Sequence, residues 1–389
     1  MKVLAVADSD SYLKWAACLL DDLPAATARE LALVRTPITP SAEQVAAAVA
    51  GTRAGAVPVL SARALRRAAE RIRPDVILLA CTGPVVDVLA AEVLDGLRPR
   101  PVLVSGLPGI SVPATEKAWR FRSGCDLLVV HSGREVAEFT ALGERLGGGG
   151  AVGLARLPFL RGAPAPGGGS RVVFATQAKV PARREERERI LFALAKLAGE
   201  RPELDVVVKL RAVEGERQTH NERHPYERLW RELGAPGRLR FVAGPMHEQL
   251  AGAAGFVTVS STAALEAIAQ RVPLLVLSDF GVSAETINLV FEGSGTLGTL
   301  DDLAAGSFRV PAASWCADNY FHDRAEDDWV ALMTALVIGP HTPARSLLDG
   351  PEHVAARRRA RLRVEVPPGM LKVGYRARRR MRRYLRVLS

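Results

Sequence analysis

The sequence predicts an α/β protein built as two doubly wound domains that face each other across a central cleft. Three observations lead there. Short apolar runs such as VLAVA, VILLA and VLVSG recur, each followed by a turn and a helix-period segment. Strands that are apolar on both faces and alternate with helices belong to parallel sheets. The length, 389 residues, exceeds one core and suits two domains. A Gly/Pro-rich interruption then separates two stretches with the same alternation.

Residues 2–7 read as the first strand, ending in the polar turn Asp8-Ser9-Asp10-Ser11 and a helix carrying Lys14 and Trp15. A helix over 43–50, a short strand at 57–60 and a helix from a Ser61 cap to Arg71 follow. Strand 76–80 passes through Thr82-Gly83-Pro84 into a helix over 85–95. Strands 101–108 and 126–132 come next, the second leading to a helix from Arg134. Gly147–Gly150 and the segment RGAPAPGGG at 161–169 break the pattern, which restarts with strand 171–175. Helices over 183–198, 225–233, 248–253, 263–269 and 284–291 then alternate with strands 205–210, 239–242, 256–259 and 273–277. The expected domains are 1–160 and 170–345, with a basic tail at 346–389. Open sheets bind ligands beyond the carboxyl ends of their strands, so two facing sheets put the site in the cleft.

The net charge of +10 is unevenly placed: residues 353–389 hold 13 Arg/Lys and one Glu, which leaves the rest at −2. The main domains show neither a basic stripe nor an aromatic stacking surface, so no specific nucleic-acid partner is expected. Tyr375, Met381, Tyr384 and Leu385 among the tail arginines suit an interfacial anchor for anionic lipid. The four cysteines form no CxxC pair, which argues against a disulfide framework or structural zinc and for a reducing cytosol. No apolar run reaches membrane-spanning length, and the N-terminus lacks the form of a signal peptide. The expected location is the cytoplasm, with peripheral contact to the inner face of the plasma membrane.

Chemistry-bearing residues gather at the predicted strand ends. In FVTVSSTAALEAIAQRVPLLVLSD, a buried strand runs into Ser260-Ser261-Thr262 and at once into a helix. Ser261 or Thr262 is placed to cap that helix, and the N–H groups beside it favour phosphate. An ordinary helix cap reads equally well from this segment alone. Glu266 is the one charged group of the helix. Lys209 and Arg211 close an earlier strand, and His220-Asn221-Glu222-Arg223-His224-Pro225 follows. Pro225 fits a first helical turn with His224 at its mouth, and His and Arg both donate to phosphate. His247, in Gly244-Pro245-Met246-His247-Glu248, would meet a nucleotide base or ribose. The two histidines of the 220–224 loop have no third ligand nearby, so neither a metal nor a cofactor is expected. In the first domain an acceptor hydroxyl needs a general base. His131, at a strand end, fits; Asp10 and Glu116 are alternatives, and Lys14 supplies countercharge.

The arrangement resembles the GT-B glycosyltransferases, which have two Rossmann-like domains with the nucleotide donor in the C-terminal one. More narrowly, His224-Pro225 followed by Ser260-Ser261-Thr262 resembles the HP and Ser/Thr motifs of bacterial sialyl-, polysialyl- and capsular Kdo-transferases and of teichoic-acid CDP-glycerol polymerases. Residues 1–340 as a whole resemble actinobacterial proteins grouped as glycosyltransferases. The resemblance implies that His224 and Ser261 or Thr262 hold the donor phosphate of a cytidine nucleotide without metal. Two features depart from it: the hydroxyl triplet leads into AALEA with no acidic residue immediately after it, and the first domain has no D/E-D/E-G motif. The expected activity is metal-independent transfer of a sugar or ulosonic acid from a nucleotide-activated donor to a glycan or lipid-linked acceptor of cell-surface polysaccharide. A CMP-linked donor is favoured. The alternatives are a CDP-glycerol-type or UDP/GDP-sugar transferase, a sugar-nucleotide epimerase of the same fold, and a non-catalytic nucleotide-sugar-binding module.

Overall fold

The computed structural model describes residues 1–160, 168–210 and 222–366. Two parallel-sheet domains flank a cleft. The first sheet comprises β1 (Lys2–Ala7), β2 (Ala28–Val34), β3 (Val59–Leu60), β4 (Val76–Ala80), β5 (Val102–Gly106), β6 (Leu127–Val130) and β7 (Ala151–Leu154), in the order β3-β2-β1-β4-β5-β6-β7. The second comprises β8 (Arg171–Ala175), β9 (Asp205–Lys209), β10 (Arg240–Val242), β11 (Ala253–Thr258), β12 (Leu274–Leu277) and β13 (Leu297–Gly298), in the order β10-β9-β8-β11-β12-β13. Every paired strand is parallel. Each sheet winds outward in both directions from its first strand, so helices cover both faces and the carboxyl ends of all strands share one edge.

The core explains the unalternating sequence. All of VILLA in β4 is buried. One face of the first sheet packs Leu13, Trp15 and Leu19 and the other packs Leu65, Val86 and Leu89. In β2, Arg29 and Glu30 occupy a partly exposed first half and only Ala32, Leu33 and Val34 are buried. That is why a strand there escapes pattern reading. β7 follows directly on Gly147–Gly150, which reads as a break. The helix expected at 284–291 is only the short 3-10 turn Leu289–Phe291. Ser283, Thr286 and Asn288 bond among themselves there, Asn288 Oδ1 accepting from Ser283 N–H at 3.1 Å and Thr286 Oγ1–H at 2.7 Å. Such local bonds compete with a helix.

The last described helices return to the first domain. The helix Trp329–Ile338 puts Trp329 and Met333 into its core, and the helix Val354–Glu365 adds Ala360 and Val364. Arg357 forks onto Asp87 with two 2.9 Å bonds, and Arg361 reaches Glu92 at 2.7 Å. Part of the stretch expected to be a basic tail is therefore a packed helix, and two of its arginines pair with acids of the first domain. Residues 161–167 of the expected linker, Arg211, His220, Asn221 and everything from Pro367 onward, with Tyr375, Met381, Tyr384 and Leu385, lie outside the described residues. Among the described residues no helix is long and apolar enough to cross a membrane.

Candidate functional site

The carboxyl edge of the second sheet is organised around Thr258, the last residue of β11. Its Oγ1 donates to the Ala175 carbonyl of β8 at 3.1 Å and accepts from Ser261 N–H at 3.1 Å. That ties the hydroxyl turn between two neighbouring strand ends. Ser261 Oγ accepts from Ala263 N–H at 3.2 Å, whereas Thr262, at the N-cap of the helix Ala263–Ala269, makes no side-chain capping bond. Of the two expected caps, Ser261 does the work and the Thr262 hydroxyl stays clear of the helix. Ser260 Oγ is buried and has no hydrogen-bond partner among the described residues. A buried hydroxyl left unpaired is costly and calls for a missing partner.

Glu266 lies one turn into that helix. Burial raises its carboxyl above the ordinary value of 4.5, and the positive charges of Lys14, His247 and Lys209 pull it partly back. Lys14 stands on the helix Asp10–Asp22 of the first domain, so Glu266 is where the two walls of the cleft meet electrostatically. Lys209 ends β9 and donates from Nζ to the Leu210 carbonyl at 2.7 Å. His247 is exposed in the helix Met246–Leu250. The walls also touch directly: a Cβ on Gly109, in the loop after β5, would come within 3.1 Å of Thr262 Oγ1. Glycine permits that close approach. Ile110 and Val112 of the same loop pack into the second domain's core.

His224 and Pro225 precede the helix Tyr226–Glu232 and are held by Arg187, which sequence reasoning missed. Arg187 is 1% exposed. Its Nε donates to Pro181 O at 2.9 Å, one terminal nitrogen to Glu222 and to His224 O (2.8 Å), and the other to Gln177 O (2.9 Å) and Ala178 O (3.0 Å). All five guanidinium N–H groups are thereby used. The arginine welds the loop after β8 to the His-Pro segment. No local signal marks it, since RREERERI reads as a solvated helix.

In the first domain, His131 does not suit the base role expected of it. It is fully buried, Nε2 accepts from Trp15 Nε1 at 2.7 Å and Nδ1 donates to Ala155 O at 2.7 Å. Burial lowers its pKa to about 4. With both nitrogens engaged, the ring is a structural strut between β6 and the helix Asp10–Asp22. Trp15 in turn needs Gly106 at the end of β5, where a Cβ would come within 2.5 Å of the indole. Glu116 is also misplaced for a base. It is exposed on the helix Glu116–Arg120, and its pairing with Arg145 (2.9 Å) and Arg120 (3.4 Å) lowers its pKa. Asp10 opens the helix that carries Lys14, one turn away on the same face.

Two further buried carboxylates are unexpected. Asp8 Oδ2 accepts from Thr82 N–H (2.9 Å) and Oγ1–H (2.5 Å), and burial raises its pKa. Glu135 binds the domains together. Its Oε1 accepts from Ser111 N–H at 2.8 Å and from Tyr320 OH at 2.5 Å, and its Oε2 accepts from His131 N–H at 2.8 Å. Ser132-x-x-Glu135 has the letters of a capping box, and that pattern hides the interdomain bond. Among the described residues no group of three His, Cys, Asp or Glu side chains could hold a metal ion.

No curated protein matches the chain. Solved structures do. The Staphylococcus aureus MnaA–UDP co-structure has 12% identity and a TM-score of 0.53, over 86% of this chain and 95% of that one. A Neisseria meningitidis UDP-GlcNAc 2-epimerase bound to UDP-GlcNAc has 12% identity and a TM-score of 0.53, over 79% and 90%. A Methanocaldococcus jannaschii UDP-GlcNAc 2-epimerase has 10% identity and a TM-score of 0.51, over 87% and 100%. At such identities the likeness is one of fold: two Rossmann-like domains flanking a cleft, the GT-B arrangement, shared with enzymes that act on nucleotide sugars. A family profile described as "Putative glycosyltransferase (DUF6716)" matches residues 3–336, and the chain belongs to that family.

Proposed function

We propose that the protein transfers a sugar from a nucleotide diphosphate donor, a uridine nucleotide in preference to CMP, to an acceptor hydroxyl presented by the first domain. The observation that carries this is the convergence of Lys14, His247 and Lys209 on Glu266 across the cleft. Cations from both walls suit a diphosphate, which carries more negative charge than a single phosphate. Glu266 would repel those phosphates, so it belongs to a hydroxyl-bearing part of the ligand. A carboxylate accepts two hydrogen bonds at once, as vicinal ribose hydroxyls require. Ser260 and Thr262 donate to the phosphate oxygens, and His224 is assigned to the same phosphate. Asp10 takes the acceptor proton as general base while Lys14 steadies the leaving diphosphate. The shift from CMP to uridine rests on the similar solved structures, whose descriptions name UDP and UDP-GlcNAc.

Epimerisation of a nucleotide sugar is a second reading, favoured by the number of UDP-GlcNAc 2-epimerases among those structures. It uses the same binding residues but leaves the sugar–phosphate bond intact at the end of the cycle. A thermal-shift screen against UDP, UDP-GlcNAc, GDP, CDP and CMP tests the binding. Product analysis then separates the two reactions. UDP release that depends on an acceptor means transfer, and a new epimer without UDP release means epimerisation. Absence of a shift with every nucleotide refutes both.

A further inference from the structure

A cavity of about 560 Å³ lies between the helix Val354–Glu365 and the first domain, lined by neither second-domain strand ends nor cleft residues. Its walls are of two kinds. Pro84, Phe121, Leu348, Ala356 and Ala360 supply apolar surface. The charged lining has a cationic excess: Lys117, Arg120, Arg357, Arg359 and Arg363 stand against Asp87 and Glu116. Both carboxylates are already committed. Asp87 takes the fork of Arg357 at 2.9 Å, and Glu116 takes Arg145 at 2.9 Å and Arg120 at 3.4 Å. Lys117, Arg359 and Arg363 are exposed and have no acidic partner among the described residues.

Unpaired cations around an apolar floor call for a ligand that is anionic at one end and greasy at the other. Residues 367–389, which follow that helix in the sequence, do not supply the anion, because they contain eight Arg/Lys and no acidic residue. We propose that this cavity binds an anionic amphiphile. Its phosphate ester would be held by Lys117, Arg359 and Arg363 and its hydrocarbon chain would lie against Phe121 and Leu348. Guanidinium groups match phosphate oxygens in pairs, and the apolar wall distinguishes such a ligand from free phosphate. Membrane phospholipids and lipid-linked glycan precursors share this chemistry. The site stands apart from the donor reading and does not depend on it.

The test uses the full chain, titrated calorimetrically with dihexanoyl phosphatidate below its micelle concentration. Dihexanoyl phosphatidylcholine and inorganic phosphate are the comparisons. Saturable binding of phosphatidate, about tenfold tighter than either comparison, is expected, with a loss of about tenfold or more in Arg359→Glu/Arg363→Glu. Arg358→Glu, a charge reversal on an exposed residue outside the cavity, should keep affinity within about twofold. Equal weakening by Arg358→Glu overturns the proposal, as does equal affinity for phosphatidylcholine or for inorganic phosphate. Co-sedimentation with phosphatidylglycerol vesicles separates the sources. Vesicle binding lost together with phosphatidate binding identifies a bilayer lipid, and vesicle binding kept while phosphatidate binding is lost identifies a singly extracted lipid phosphate. UDP affinity measured in the same variants should be unchanged, so failure here leaves the donor assignment standing.

Discussion

Replacing Arg187 with leucine should unseat the His224-Pro225 segment. Leucine offers apolar bulk but donates nothing, so the carbonyls of Gln177, Ala178, Pro181 and His224 and the Glu222 carboxylate all lose a donor. The Tyr226 ring, whose centroid lies 4.8 Å from the guanidinium carbon, loses its cation as well. Breaking one side of a buried charged pair costs about 3–5 kcal/mol. For a domain of this size each kcal/mol moves the melting temperature by about 2–4 °C, so the second domain's transition should fall by about 10 °C. Scanning calorimetry reads the shift, with circular dichroism confirming a folded starting state. Arg187→Lys keeps the charge but has three donors in place of five and lacks the planar fork, so it should recover only part of the loss. A fall of less than about 2 °C in Arg187→Leu would refute the view that this one side chain holds the segment.

Four further outcomes are expected. Lys14→Ala should weaken UDP-sugar binding about tenfold in calorimetric titration with little change in melting temperature, as befits an exposed cation facing a diphosphate. Asp10→Asn should cut turnover by about a hundredfold or more while UDP affinity is kept; unchanged turnover removes Asp10 as the base. His131 has a pKa near 4 when folded against 6.5 when free, so the unfolded chain binds more protons between those values. Its contribution to stability is present above 6.5 and is lost as pH falls toward 4, by about 3 kcal/mol at most, and His131→Gln should flatten that acid limb in pH-dependent melting. Glu266 has the opposite sign. Its carboxyl is raised above 4.5, so the folded form holds its proton longer and stability declines as pH rises from that value. Glu266→Gln should remove that decline, and an unaltered melting curve would show that the carboxyl is not held as described.

How much of this was legible beforehand depended on whether a residue's role was local. The parallel sheets were readable because β4, β5 and β6 are buried on both faces and carry no charge to confuse the pattern. β2 was not, because half of it is exposed and charged. The hydroxyl turn after β11 was readable from its strand-turn-helix context. The roles of Arg187, Glu135 and Tyr320 were not. Each acts on a partner far away in the chain, 185 positions in the case of Tyr320 and Glu135, and no periodicity encodes such a pairing. His131 failed as a base for the same reason. A histidine at a strand end looks available until Trp15, 116 positions earlier, is found on its ring.

The return of Trp329, Met333, Ala360 and Val364 to the first domain has a consequence for how the protein is made. Synthesis finishes the first sheet by Leu154, yet one face of it stays partly uncovered until the helix Trp329–Ile338 has left the ribosome, and the helix Val354–Glu365, which packs on the helix Gly83–Val88, comes later still. At about 5–20 residues per second, the intervening two hundred or so residues take roughly 10–40 s. During that interval the second domain can fold completely while the first waits with apolar strands such as β5 and β6 incompletely covered. Of the two domains, the one translated earlier is therefore the one whose core is completed later, and it is the one a nascent-chain chaperone would need to shield.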